Sequence, residues 1–405
     1  MEILFSMLCM MGIGFVLYHT AKRTVCAVPL TTEEAIPYHW GKTALFCTAL
    51  RVLFLAAAFL ASRIFFENAT LWSVFERWDA SHYLRIATEG YGQYQEGGHY
   101  LTLVFLPLYP WVCKLFLLLF HNVQAVFVII SNLFFITGAT FYHATVSKKY
   151  GAACADTMLL LLMLSPFSFF FGAMMPESTF LFCWAAALYF ARKKWWVLAC
   201  FFGALGALTR LLGVLIVVMI FIEMLQNDKP FFAGGKKQVV KKLLKYGLLA
   251  MVPLGTVVYL LVNFMVAGDA FAFLYYEKLN WFQEFTPIWE SLYRVAQNVA
   301  EPSGLLYTVW LPELIAIVLI IALLVIFARS YALSELWYVL IYAVMTYSTS
   351  WLLSGARYLL VCFPAFTMVA LLLQRHQKAK TLVLVGCGFL QMIYFVGYLQ
   401  GKPIM

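Results

Sequence analysis

The chain has 405 residues, of which 64% are hydrophobic and only 12% charged, whereas a soluble domain carries roughly 45–50% apolar and about 25% charged residues. That composition excludes a soluble globular domain. The net charge of +9 sits mainly in loops between apolar runs, so it reads as an orientation signal, with room for contact with anionic membrane lipids, and not as a nucleic-acid footprint.

A hydrocarbon core of about 30 Å is crossed by roughly 20 apolar helical residues, and such runs recur along the chain. They lack the in/out alternation of an outer-membrane barrel. The expectation is an all-α polytopic membrane protein, one multi-helix transmembrane domain over 1–405. About twelve spans are expected, at 2–19, 44–63, 124–145, 154–172, 178–191, 195–209, 212–226, 243–266, 308–328, 332–350, 356–374 and 381–399. The first is expected to be a retained helix with its N-terminus outside, because Glu2 stands where a signal peptide would be basic and Lys22 and Arg23 follow the apolar run. The nine cysteines are scattered without a CxxC pair, which points to buried thiols and indicates neither a disulfide framework nor a metal site.

The apolar stretch 103–120 decides the topology. Laid along the outer surface as an interfacial helix, it leaves the clusters Lys22/Arg23, Lys148/Lys149, Arg192/Lys193/Lys194, Lys236 to Lys245 and Arg375/Lys378/Lys380 on one side, the cytoplasmic side by the positive-inside rule. Two long segments, about 64–102 and 267–307, then face outward. The second is rich in aromatics, which suits interfacial anchoring or a lid over a sugar or lipid. Its carboxylates Asp269, Glu277 and Glu284 are secondary candidates that spacing alone does not separate.

Arg77-Trp78-Asp79-Ala80-Ser81-His82-Tyr83-Leu84-Arg85-Ile86-Ala87, ending at Gly90-Tyr91, is the most informative stretch. Asp79 stands at a helix start, where capping is the simplest role. It is also a carboxylate between Trp78 and His82 at a membrane surface, placed to accept a proton from a hydroxyl. Phe105-Leu106-Pro107-Leu108-Tyr109-Pro110 follows, and two prolines three apart favour a broken or surface-lying segment. Thr209-Arg210-Leu211-Leu212-Gly213 then puts an arginine among apolar helices, paired with Glu177 of Met174-Met175-Pro176-Glu177-Ser178, presented to a phosphate, or both. Ser354-Gly355-Ala356-Arg357-Tyr358 adds a second arginine at an outer turn. Together these residues suit a substrate with an anionic head group and a lipid tail.

These motifs resemble the PIG-V-like mannosyltransferases, a family that includes the second mannosyltransferase of GPI-anchor assembly and related bacterial proteins. The resemblance runs from Trp78-Asp79-Ala80-Ser81-His82-Tyr83 through Phe105–Pro110, Pro176-Glu177-Ser178 and Leu208-Thr209-Arg210 with Gly213 to Arg357-Tyr358. An additional span before the first external loop, and a length shorter than the eukaryotic enzymes, fit a bacterial relative.

The resemblance implies a GT-C glycosyltransferase fold. It also implies inverting transfer of a hexose, mannose by analogy, from a polyprenyl or dolichyl phosphate carrier to a hydroxyl of a glycolipid, glycan or protein. The family's acidic loop residue maps onto Asp79, the general base. Arg210 and Arg357 would steady the leaving phosphate, with His82, Glu177, Trp78 and Tyr358 as further substrate contacts, and no metal or other cofactor is expected. The bacterial plasma membrane fits best, with the endoplasmic-reticulum membrane as the alternative and the site on the external or luminal face. Two competing readings are a transporter or lipid-linked sugar flippase, which would place charges near the bilayer midplane, and a catalytically silent subunit of a glycosylation complex.

Overall fold

A computed structural model describes residues 2–26, 38–65, 70–228, 235–301, 303–352 and 354–404. Residues 66–69 and 302, within the two segments expected to face outward, lie outside the described residues, as do the side chains of residues 2–6 and of Lys236. Regular structure among the described residues is helical, apart from two isolated β-bridges.

Helices α1 (Glu2–Cys26) and α2 (Trp40–Phe65) come first, followed by the short α3 (Ala80–Thr88) and α4 (Leu108–Leu117). Next are α5 (Val123–Tyr150), α6 (Ala152–Leu164), α7 (Glu177–Arg192), α8 (Trp196–Ala207) and α9 (Ile216–Asn227). Helices α10 (Gly235–Gly247) and α11 (Met251–Ala267) lead to α12 (Ala272–Trp281) and α13 (Ile288–Ala300). The chain closes with α14 (Leu311–Phe327), α15 (Leu333–Thr346), α16 (Gly355–Leu360), α17 (Pro364–Leu373) and α18 (Gln377–Leu399).

Local chemistry sets these boundaries. Asn122 caps α5 by accepting the Ala125 N–H at 2.9 Å. Gly151, at φ 87°, turns the chain directly from α5 into α6, a conformation that costs glycine little. The expected span 154–172 ends early, at Leu164, because Pro166 cannot continue the helix, and a 3-10 turn at Ser168–Gly172 follows it. The expected span 356–374 is likewise broken into α16 and α17 just before Pro364. The 103–120 stretch contributes only the 10-residue α4, about 15 Å long and too short to cross a bilayer.

Among the described residues, five helical stretches are long and apolar enough to cross a membrane: Trp40–Phe65, Val123–Tyr150, Lys237–Ala267, Leu306–Phe327 and Gln377–Leu399. Helices α5 and α7 pack at the centre, where a Cβ on Gly138 would stand 2.7 Å from the backbone nitrogen of Phe182. Such close approach of helix backbones is typical of membrane bundles. Outer helices expose apolar side chains instead, among them Leu53 and Leu60 of α2, Leu261 and Met265 of α11, and Leu382 and Phe389 of α18. Surface of that kind belongs in lipid. The chain is an integral membrane protein.

Candidate active site

Asp79 lies at the N-terminus of α3, yet its side chain makes no cap there. The capping role suggested by the sequence is replaced by an ion pair: Arg357 Nη1 donates to Asp79 Oδ2 at 2.7 Å. The backbone turns inward just before it, at Trp78, whose φ of 49° is one a bulky residue rarely adopts. Neighbouring contacts hold that strained turn, a cost of order 1–3 kcal/mol. The Trp78 ring meets Tyr398 at 5.1 Å, and its carbonyl accepts from Ser81 Oγ at 3.1 Å. On either side, Arg77 donates to the Leu399 carbonyl at 2.8 Å and the Tyr398 hydroxyl to the Phe75 carbonyl at 2.8 Å. The segment between α2 and α3 is thereby pinned to the end of α18.

Glu177 opens α7 and is wholly buried. Its Oε1 accepts from Arg357 Nε at 2.7 Å and from Arg210 Nη1 at 3.2 Å. The N-terminal end of α7 also favours a negative charge. Glu177 Oε2 is buried without a hydrogen-bond partner among the described residues. Arg357 lies over the Phe170 ring at 5.0 Å, and Arg210 stands 5.7 Å from the ring of Tyr358. Both contacts are of the cation–π kind.

A four-residue network results, Asp79–Arg357–Glu177–Arg210, with two charges of each sign. Its ends and middle differ in access. The Asp79 side chain is 22% exposed and Arg210 15%, against 5% for Arg357 and 0% for Glu177. Asp79 and Arg210 are therefore the more open members of the network, and Arg357 and Glu177 are its buried links.

Of the other expected residues, Trp78 and Tyr358 border the network. Tyr358 also receives Gln283 Nε2 at 3.5 Å on its hydroxyl. His82 is packed: its ring stacks on Phe105 at 4.7 Å, meets Trp281 at 6.2 Å and leaves Nδ1 buried without a partner among the described residues. Burial lowers the pKa of this imidazole, against the opposing pull of Asp79, so the ring is neutral at pH 7. Sequence reasoning had Trp281 only as one of the many aromatics of 267–307 and did not single out Phe170 or Gln283. Phe170 lies in the apolar run after Pro166, where one phenylalanine cannot be told from the next.

The charges of this network stand at helix ends, whereas Arg51 lies in the middle of α2. Its Nε donates to Asn132 Oδ1 at 2.7 Å, and its guanidinium lies over Phe54 at 4.6 Å and Phe135 at 5.0 Å. A second charged cluster occupies the other end of α7, about 24 Å away for 16 residues. There Arg192 pairs with Glu335 and, at 3.6 Å, with Glu223. A cavity of about 530 Å³ adjoins this cluster, lined by His19, Lys22, Arg23, Cys26, Gln226, Arg329 and Leu333. It is remote from Asp79.

No protein-family profile matches the chain, and no curated protein sequence does. Solved structures overlap it in part. With ArnT from Cupriavidus metallidurans bound to undecaprenyl phosphate the TM-score is 0.46 and the identity 16%, over 85% of this chain and 64% of that one. With the Archaeoglobus fulgidus oligosaccharyltransferase, solved in complex with Zn and sulfate, the TM-score is 0.42 and the identity 12%, over 86% of this chain and 53% of that one. The chain thus spans less than two thirds of the length of either. Both overlaps are too loose to carry an argument about activity.

Proposed function

We propose that the chain is an inverting glycosyltransferase of GT-C type, which moves a hexose from a polyprenyl or dolichyl phosphate to an acceptor hydroxyl at the outer face of its membrane. The observation that carries this reading is the Asp79–Arg357–Glu177–Arg210 network, which puts one accessible carboxylate and one accessible guanidinium at the same helix ends. The motif resemblance to PIG-V-like mannosyltransferases supports mannose as the sugar and a bacterial plasma membrane as the setting.

Inversion places the acceptor and the departing phosphate on opposite faces of the sugar ring, through an oxocarbenium-like transition state by analogy with glycoside hydrolysis. Asp79 takes the acceptor's proton. Arg210, the more open arginine, faces the phosphate and steadies the charge that collects there. Arg357 holds Asp79 and Glu177 in place and adds its positive charge to the site. A phosphate leaving group needs no proton donor, and two guanidiniums supply the neutralising charge, so in this reading no metal takes part.

The test is transfer by purified protein given labelled polyprenyl-phosphate mannose and a membrane lipid extract. Label moving to a new product supports the reading. A preparation that binds the donor yet leaves it intact with every extract refutes it.

A further inference from the structure

The three carboxylates of the second external segment, equivalent by sequence, differ in the fold. Asp269 Oδ1 accepts the backbone N–H of Phe271 at 2.9 Å, a local turn contact. Glu284 pairs with Lys278 at 3.0 Å, with both side chains more than half exposed. Glu277 makes no ion pair and no side-chain hydrogen bond among the described residues.

Its place on α12 explains where it points. Phe273, Glu277 and Trp281 are spaced four apart and share one helix face. At one end of that stripe Phe273 packs on Tyr259 at 5.2 Å. At the other, Trp281 meets His82 at 6.2 Å and Phe105 at 5.8 Å. Just past the helix, Gln283 reaches the Tyr358 hydroxyl at 3.5 Å. The stripe is therefore laid over the ends of α3 and α16, which carry Asp79 and Arg357, with Glu277 in its middle. The titratable groups whose charge is felt at Glu277 or that feel its charge are Asp79 at the start of α3, Tyr358 of α16 and Tyr259 of α11. Burial, with the charge of Asp79 adding to it, pushes the Glu277 carboxyl up to about 7. Asp79 has a guanidinium against it; Glu277 has none.

We infer that Glu277 is the second proton-handling group of the site, receiving from Asp79 the proton of the acceptor hydroxyl and releasing it to water. This rests on the transferase reading above. The acceptor oxygen bonds to the anomeric carbon as the bond from that carbon to the phosphate oxygen breaks, and the bonding pair leaves on the phosphate. The acceptor's proton goes to Asp79 and then, through an intervening hydroxyl or water, to Glu277. Its release to solvent returns both carboxylates to their starting state.

The test compares transfer by the wild type, Glu277→Gln, Glu277→Asp and Asp79→Asn from about pH 5.5 to 8.5, around the value expected for a base that works near neutrality. Wild-type activity is expected to fall on the acid side of about pH 7. Glu277→Gln should lower kcat at least ~10-fold, leave the donor KM unchanged and remove that acid limb, while Glu277→Asp keeps a limb. Glu277→Gln with wild-type rate and pH profile overturns the role of Glu277 and leaves the transferase reading standing. A wild-type protein that transfers no sugar overturns both.

Discussion

Arg357 Nη1 meets Asp79 Oδ2 at 2.7 Å across 278 residues of sequence. The same guanidinium holds Glu177 through Nε at 2.7 Å. One planar side chain therefore joins the start of α3 to the start of α7, a geometry that a lysine's single ammonium cannot reproduce.

Arg357→Lys should consequently lose much of its activity while still folding, with transfer down at least ~10-fold as Asp79 and Glu177 are no longer oriented together. Arg357→Ala should be worse, because it leaves buried Glu177 only Arg210 at 3.2 Å, and removing one partner of a buried ion pair costs about 3–5 kcal/mol. Thermal melting in detergent, with transfer measured on the same preparations, separates the two effects.

Gly213, one turn beyond Arg210, allows a close approach of chain segments. A Cβ there would stand 2.1 Å from the carbonyl oxygen of Gly206, a backbone atom with no rotamer to move aside. Gly213→Ala should destabilise the fold by about 1–3 kcal/mol, the usual cost of overpacking, and displace Arg210 from Glu177. A lowered melting temperature together with weakened donor binding is the expected outcome.

Glu277 also links stability to pH. Its carboxyl is raised from 4.5 to about 7 in the folded chain, so between those values the folded state holds a proton that the unfolded state has released. Stability therefore falls as pH rises through that window and levels off above it. Melting temperatures at about pH 5 and pH 8 should differ in this direction for the wild type. In Glu277→Gln the Glu277 contribution is absent and the difference shrinks.

Much of this was legible in the sequence, and the reasons are physical. Long apolar runs dictate membrane helices because backbone groups in lipid have no other partner. Asp79, Glu177, Arg210 and Arg357 stood out because charges beside apolar helices are costly without a purpose. Their connectivity was only partly readable: the Arg210–Glu177 pair was one of two open alternatives, while the Arg357 bridge depends on packing between distant helices. Helix breaks at Pro166 and Pro364 were visible as residues, yet the hydropathy of the surrounding runs masked them. Glu277 was indistinct from Asp269 and Glu284 until α12 showed which of them shares a face with Phe273 and Trp281.

The arginines, in this reading, do the work a divalent cation would do at the phosphate. Transfer by the wild type should accordingly persist at its full rate in excess chelator. An activity lost with chelator and restored by a divalent cation would reassign the neutralising role.

The most direct measurement is single-turnover transfer from labelled polyprenyl-phosphate mannose by the wild type and by Asp79→Asn, with donor binding measured on both. Asp79→Asn should bind the donor as the wild type does and transfer at least ~10²-fold more slowly, the lower range for loss of a general base. Asp79→Asn transferring at the wild-type rate would contradict the assignment of Asp79 as the base at the centre of the site.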